Sequence, residues 1–270
     1  MECQMRFVKR SVLLLIVAVL PMSQAWAGDV LDRIAKTNTL RVGMSGSQPP
    51  FNVVNRDGDL IGMEVDLANL LASAMGVELK IVQKPFGELL GALEDGDVDL
   101  VMSQVTATLE RNRRVAFVGP YYISGKSLLT KSSTVAAVQE AQEINQETMR
   151  IATLKGSTGE NFVGRRLPKA ALTPTEDYAA AVDLLLNDQV DAFLADAPIV
   201  KLTAMRYPNA GLAVLRKPLT IEPIGIAVPP NDPLLLNLVQ NYVRALEASG
   251  GLEALLKKWF ENAGWLTQLP

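Results

Sequence analysis

The chain has 270 residues, of which 49% are hydrophobic and 20% are charged, and its net charge is −3. A mildly acidic chain lacks the basic surface of a nucleic-acid-binding protein, so we expect no nucleic-acid partner. There is no histidine, and the single cysteine is Cys3. This composition excludes a disulfide framework and histidine-based acid–base or metal chemistry, so we predict no cofactor and no metal. The length suffices for one large or two medium-sized domains.

Residues 1–27 have the pattern of a secretory signal peptide. Three basic residues precede an apolar run at 12–20, and Ala25-Trp26-Ala27 forms an A-x-A cleavage site. The run has nine residues, whereas a membrane-spanning helix requires about 20. We therefore predict cleavage after Ala27, which removes Cys3, and export to the periplasm.

The next residues indicate a strand, a loop, a hairpin and a helix. The run 40–44 predicts a strand, and the loop SGSQPPF that follows it exposes Phe51 at the strand's carboxyl end. An exposed aromatic ring can stack on a ligand, and a core-facing phenylalanine fits the position equally well. The polar turn at 55–59 predicts a hairpin. The following helix is predicted to end at Gly76, with Glu64 near its start as a capping acid.

The segment GDVDLVMSQVTATLER combines a buried strand with an unusually placed arginine. Its aliphatic run 98–102 predicts a strand, and Thr108 is a candidate N-cap that puts Arg111 at the third helical position. The positive end of the helix dipole disfavours a cation there, which suggests an external anion between the guanidinium and the free amides. The alternative is a solvated basic face formed by Arg111, Arg113 and Arg114.

An internal repeat indicates two similar α/β lobes. Residues 184–196, LLLNDQVDAFLAD, echo residues 92–104, ALEDGDVDLVMSQ, and the two V-D pairs lie 92 residues apart. Ligands of open α/β sheets bind beyond the carboxyl ends of the strands, so Asp196 is expected to face the first copy across a cleft. Alternatively, Asp196 caps the helix that follows it. The aspartates of the V-D pairs, Asp99 and Asp191, are predicted to close turns or cap neighbouring helices.

The turn KGSTGE at 155–160 joins a strand to a helix in the second half of the chain. It lacks the G-K-[ST] of a phosphate-binding loop. A strand, a glycine turn and a helix start nevertheless direct free N–H groups at any anion in the cleft. An ordinary capped helix explains the same residues.

The patterns S-x-x-T-x-T-x-E-R and F-x-x-P-Y-Y-x-S-G, both within 103–125, resemble the ligand-binding segment of periplasmic solute-binding proteins for polar amino acids. These proteins, family 3 of the substrate-binding proteins, are the soluble receptors of ABC importers. The resemblance covers nearly the whole chain after the signal peptide. It implies an α/β, two-lobed periplasmic binding protein fold of type II, with discontinuous lobes joined by two crossings. Lobe 1 comprises 28–124 and 220–270, and lobe 2 comprises 125–219.

The resemblance also implies roles for individual residues. Arg111 clamps the α-carboxylate of the bound amino acid, with Thr106 as its hydroxyl partner and Thr158 as the contact from lobe 2. Asp196 accepts the ammonium, and Phe86 packs on the ligand side chain. The predicted ligand-binding set is Arg111, Thr106, Gln104, Asp196, Thr158, Phe51 and Phe86. The implied partners are an amino acid and the permease subunits of an ABC transporter, and we expect a soluble monomer.

The resemblance bears on the class of amino acid as well. Members selective for basic amino acids carry an aspartate where this chain has Ser45, and Leu154 and Gly159 replace polar side chains of other members. A cationic ligand side chain would then be desolvated without a partner, which is strongly unfavourable. We therefore expect a neutral amino acid.

Two other function classes compete with transport. Cyclohexadienyl dehydratases share the lobed fold and use a glutamate of the second-lobe loop as general acid. Glu160 occupies that position, although a glutamate there also caps the helix in binding proteins. A receptor sensor domain would require a membrane-spanning or signalling segment after the lobes, and the chain reaches Pro270 without one. We predict a binding protein and not an enzyme.

Overall fold

A computed structural model describes residues 28–262 and 264–269, so the predicted signal peptide, 1–27, lies outside the described residues. The helices are α1 Asp29–Thr37, α2 Met63–Met75, α3 Leu89–Glu94, α4 Ser133–Ala136, α5 Thr158–Arg166, α6 Tyr178–Leu186, α7 Ala197–Arg206, α8 Pro233–Ala248 and α9 Gly251–Leu256. The strands are β1 Thr39–Met44, β2 Ser47–Gln48, β3 Asn52–Val54, β4 Leu60–Ile61, β5 Glu78–Gln83, β6 Leu100–Val101, β7 Ala116–Ser124, β8 Lys126–Thr130, β9 Arg150–Leu154, β10 Ala171–Thr175, β11 Ala192–Asp196, β12 Ala213–Val214 and β13 Glu222–Val228. Across 28–262 and 264–269, every helix is too short or too polar to cross a membrane.

Two five-stranded sheets form the centres of two lobes. The sheet of lobe 1 has the order β5-β1-β6-β13-β7, and the sheet of lobe 2 has the order β10-β9-β11-β8-β12. The late strand β13 returns to lobe 1, where it pairs antiparallel with β7. The chain therefore passes between the sheets twice, at Gly125 and through 215–221. This is the discontinuous, two-lobed arrangement that the resemblance implied.

The predicted hairpin and helix of lobe 1 are confirmed. Strands β3 and β4 pair antiparallel across the polar turn at 55–59. Helix α2 ends at Gly76, whose φ of 68° lies in the left-handed region that a residue without a Cβ adopts at low cost. The amide of Gly76 donates to carbonyls of the last helical turn, which closes the helix end.

The two V-D pairs have the same structural role in the two lobes. Asp99 accepts hydrogen bonds from the backbone N and the guanidinium of Arg41, both at 2.7 Å. Asp191 accepts from the backbone N and the guanidinium of Arg150, both at 2.8 Å. The predicted equivalence of the repeats is confirmed, but the predicted turn or cap role is wrong. Each aspartate precedes a strand and holds it against the arginine of the neighbouring parallel strand.

The two aspartates differ in burial and in the number of arginine partners, because Asp99 also pairs with Arg33, and this predicts different losses on substitution. The Asp99 side chain is fully buried, whereas that of Asp191 is 34% exposed. We expect Asp99→Asn to lower the free energy of unfolding by about 1.5–2 kcal/mol, because a buried hydrogen bond to a charged group is lost. Asp191→Asn should lower it by less than about 1 kcal/mol, as for exposed ion pairs. Urea unfolding of both variants measures the difference, and equal losses would contradict this account.

The predicted exposure of Phe51 is wrong. Its side chain is fully buried, and its ring lies edge-on to Tyr122 at 5.3 Å and to Phe260 at 5.1 Å between ring centroids. The loop folds back under α2, because the carbonyl of Phe51 accepts a hydrogen bond from the amide of Glu64 at 2.8 Å. The core-facing alternative therefore holds for this residue.

Candidate ligand-binding cleft

Arg111 lies between the two lobes. Its amide donates to the hydroxyl of Thr108 at 3.1 Å, the cap that the sequence predicted, although the element is a single 3-10 turn over Arg111–Arg113. The guanidinium donates to the carbonyl of Thr106 in lobe 1 at 3.0 Å and to that of Gly156 in lobe 2 at 3.1 Å. The alternative, in which Arg111 belongs to a solvated basic face, therefore does not hold for this residue.

The surroundings of Arg111 are both apolar and acidic. Its guanidinium carbon lies 5.8 Å from the centroid of the Phe86 ring. Burial lowers the pKa of Arg111, while the negative charges of Glu222, Glu110 and Asp196 act to raise it. Arginine keeps its charge under such conditions, so a fixed cation stands in the cleft.

Gly156 brings the lobes into close contact beside Arg111. A Cβ at this position would lie 2.8 Å from the Cα of Gly87 in lobe 1, and its φ of 73° is left-handed. Only a glycine fits such an approach without displacing the backbone. The glycine at position 156 of KGSTGE is therefore needed for the close approach of the two lobes as well as for the turn before helix α5.

Asp196 has an internal partner that the sequence did not suggest. Its carboxylate Oδ2 accepts from the ammonium Nζ of Lys126 at 2.6 Å, and both side chains are 3% exposed. Lys126 lies opposite Asp196 in the antiparallel pairing of β8 and β11. The carboxylate makes no side-chain cap to helix α7, so the alternative capping role is not what the structure contains.

Three buried polar atoms of predicted site residues lack a hydrogen-bond partner within the described part of the chain. They are Oδ1 of Asp196 and both amide atoms, Oε1 and Nε2, of Gln104. The backbone of Gln104 is left-handed, with a φ of 50°. Its backbone N–H donates to Oε1 of Glu64 at 2.6 Å. Buried polar groups without partners are rare and costly in folded proteins, so these atoms are candidate positions for contact with a ligand.

Glu222 is a further acid of the cleft that the sequence analysis missed. It is 5% exposed and accepts from the hydroxyls of Thr158 at 2.9 Å and Thr220 at 2.8 Å. Burial raises the pKa of Glu222, but the charge of Lys126 and the hydroxyls of Thr220, Thr106 and Thr158 outweigh it, and the pKa is lowered. Its only sequence signal was an acid at the start of the returning strand.

Tyr178 joins the same cluster from lobe 2. It is buried at the start of α6, and its hydroxyl hydrogen-bonds with Gln48 of lobe 1. Burial raises the pKa of Tyr178, and the charge of Asp196 raises it further. The phenol therefore remains neutral and serves as a hydrogen-bonding group.

A cavity of about 650 Å³ opens beside these residues and is lined by Phe86, Arg111, Gly156 and Thr158 among others. This volume lies in the range of small-molecule pockets. A second cavity of about 320 Å³, between α7 and the aromatic residues Trp259 and Phe260, is lined by none of the predicted site residues. The first cavity therefore marks the candidate site.

The structure thus brings together Arg111, Thr106, Thr158, Asp196 and Phe86 from distant parts of the sequence. Gln104 is buried in the segment that follows β6, and Phe51 is in the core. Glu160 uses its carboxylate to accept from the amide of Gly156 at 2.6 Å, as a helix-capping acid does. Among the described residues no cluster of acidic, cysteine or histidine side chains could hold a metal.

The chain is similar to known proteins over most of its length. The family model of bacterial extracellular solute-binding proteins, family 3, matches residues 40–262. The L-cystine-binding protein TcyJ of Escherichia coli is 28% identical over 231 residues, which are 86% of each protein. Cyclohexadienyl dehydratase of Pseudomonas aeruginosa is 27% identical over 231 residues, again 86% of each. A binding component of an ABC transporter from Wolinella succinogenes, solved in complex with lysine, has a TM-score of 0.80 at 33% identity and covers 85% of this chain and 99% of that one.

These similarities confirm the predicted α/β fold of two lobes and the predicted relation to amino-acid receptors of ABC importers. The match extends from β1 to the residues after α9 and so includes both lobes and both crossings. The chain belongs to the bacterial extracellular solute-binding proteins, family 3.

Proposed function

We propose that this protein binds a neutral amino acid in the cleft between its lobes and delivers it to the permease subunits of an ABC importer. The observation that carries the proposal is the set of unpartnered buried atoms of Asp196 and Gln104. A zwitterion with an uncharged side chain presents an ammonium for Asp196 and a carboxylate for Arg111. It therefore leaves the balance of charge in the cleft unchanged.

Binding exchanges existing contacts for ligand contacts. The ligand carboxylate takes over guanidinium N–H groups that now donate to the carbonyls of Thr106 and Gly156. The ammonium donates to Oδ1 of Asp196, and Phe86 covers the side chain. The free N–H groups at the start of α5, beside Thr158, also face the carboxylate. Because these groups come from both lobes, the ligand joins the lobes and favours the closed state.

The proposal also covers how the protein is exported and where in the cell it acts. Residues 1–27 direct export and are cleaved after Ala27, and the protein acts as a soluble monomer in the periplasm. The relatives support a receptor role, since TcyJ is named for L-cystine binding and the Wolinella succinogenes structure holds lysine.

A thermal-shift screen of the mature protein against the twenty amino acids and common organic acids tests the proposal. A ligand present at 100 times its dissociation constant adds about 2.7 kcal/mol of stability, because it binds only the folded state. We expect one or more neutral amino acids to raise the melting temperature, with calorimetry giving a stoichiometry of one.

The alternative function is that of a dehydratase with Glu160 as general acid, and the similarity to cyclohexadienyl dehydratase of Pseudomonas aeruginosa supports it. The contact of Glu160 with the amide of Gly156 favours the capping role instead. Stabilisation by organic acids alone would contradict the transport proposal. So would turnover of a cyclohexadienyl acid that is lost in Glu160→Ala.

A further inference from the structure

A buried lysine stands inside the candidate cleft. Lys126 is 2% exposed, and lysines are almost never buried to this degree unless they are paired. Its ammonium contacts Asp196 at 2.6 Å. Its charge also acts on Glu222 strongly enough to lower the pKa of that acid. The ammonium therefore contacts Asp196 directly, while Glu222 lies close enough to feel its charge and is linked to the Lys126 backbone through the hydroxyl of Thr220.

The backbone holds this lysine in place. Its amide donates to the hydroxyl of Thr220 at 2.9 Å, and its carbonyl accepts from the amide of Leu219 at 2.7 Å. Both partners belong to the second crossing, while Lys126 itself follows the first crossing directly. The backbone of Lys126 is thus held by the second crossing and by its pairing with β11, and this fixes the point from which the side chain reaches Asp196.

The four charged side chains that the cleft holds away from solvent are two of each sign. Arg111 and Lys126 supply two cations, and Asp196 and Glu222 supply two anions. A zwitterion preserves this balance. A ligand with a cationic side chain would add an uncompensated buried charge, which is strongly unfavourable.

We propose that Lys126 determines specificity by occupying, with its own ammonium, the position beside Asp196 that the side-chain cation of a basic amino acid would require. The inference rests on the proposed function, because it concerns the same cleft. It assigns the rejection of arginine and lysine to one residue. It also implies that removing this ammonium converts the cleft into one with a spare acid for a basic ligand.

Calorimetry with four amino acids tests the inference. L-arginine and L-citrulline form one pair of similar shape that differs in charge, and L-lysine and L-norleucine form another. We expect the wild type to bind at least one neutral member roughly tenfold or more tighter than its cationic partner. In Lys126→Gln and Lys126→Met, the affinity for arginine or lysine should rise at least about tenfold, because two acids then face one cation.

Two control variants separate charge from general damage. Lys126→Arg retains a cation and should retain the rejection of basic ligands. Lys131→Gln alters an exposed lysine just after β8 that pairs with Asp188, and it should leave all affinities unchanged. If Lys126→Gln folds poorly, a rise in its melting temperature on addition of arginine reports the same gain.

The possible results are distinct. Wild-type protein that binds arginine or lysine as tightly as the neutral partners would overturn the inference and leave the proposed function intact. Folded Lys126→Gln and Lys126→Met that gain no affinity for either basic ligand would overturn it as well. Failure of the wild type to bind any amino acid would remove the proposed function and the inference together.

Discussion

Arg111→Ala and Asp196→Asn are each expected to weaken binding of the amino acid found by the screen by about 3–5 kcal/mol, on the order of a thousandfold. In the closed cleft, each residue faces one charged end of the ligand away from water. Removal of one partner leaves the opposite charge buried and uncompensated. The loss therefore exceeds what a solvent-exposed ion pair would contribute.

The two variants should differ in the stability of the empty protein. Within 28–262 and 264–269, the guanidinium of Arg111 donates to two backbone carbonyls, which water can replace in an open cleft, so Arg111→Ala should melt close to the wild-type temperature. Asp196 is the ion-pair partner of the buried Lys126, so Asp196→Asn should melt at a lower temperature even without ligand.

Arg113→Ala is the matched control, because Arg113 is exposed in the same turn as Arg111. Isothermal calorimetry on all three variants measures the change in ligand affinity, and melting curves measure the change in stability of the empty protein. Normal binding by Arg111→Ala, or an equal loss in Arg113→Ala, would show that the carboxylate clamp is assigned to the wrong residue.

The sequence predicted the parts of this structure that depend on local signals. Gly76 ends a helix through its own backbone freedom, and Thr108 caps Arg111 only three residues away. The two V-D pairs revealed the lobes because each pair performs the same task within its own sheet. Such features can be read from a short window of sequence.

The residues that were missed depend on contacts between distant segments. Lys126 and Asp196 are 70 residues apart, and Thr158 and Glu222 are 64 residues apart. Their proximity follows from the register of β8 against β11 and from contact between the lobes, neither of which a local pattern specifies. For the same reason the exposure of Phe51 was mispredicted, since rings from β7 and the C-terminal region cover it.

Glu64 also differs from its predicted role as a capping acid, and it leads to a pH-dependent prediction. It is fully buried under the cleft, where it accepts from the amide of Gln104 and from the side-chain amide of Asn52, both at 2.6 Å, and from the hydroxyl of Tyr121. Burial raises the pKa of Glu64 from 4.5 to about 7, although these three hydrogen bonds act to lower it. Folding therefore disfavours the charged form.

The sign of the effect on stability follows from this shift. Because the pKa is higher in the folded state than in the unfolded chain, the unfolded state loses its proton first as the pH rises. The contribution of Glu64 to stability is complete below pH 4.5 and is lost as the pH rises through about 7. Between pH 4.5 and 8 this loss amounts to about 3 kcal/mol for a shift of this size.

Urea unfolding of the wild type and Glu64→Gln at pH 4.5 and at pH 8 measures this contribution. Since glutamine does not titrate, the wild type should lose about 3 kcal/mol more than Glu64→Gln over this range, whatever the other groups contribute. Glu78→Gln, which alters an exposed acid of the same lobe, should keep the wild-type pH dependence. An identical pH dependence for the wild type and Glu64→Gln would mean that Glu64 holds the same charge in both states throughout this range. The network that supports Gln104 beneath the cleft would then be insensitive to pH.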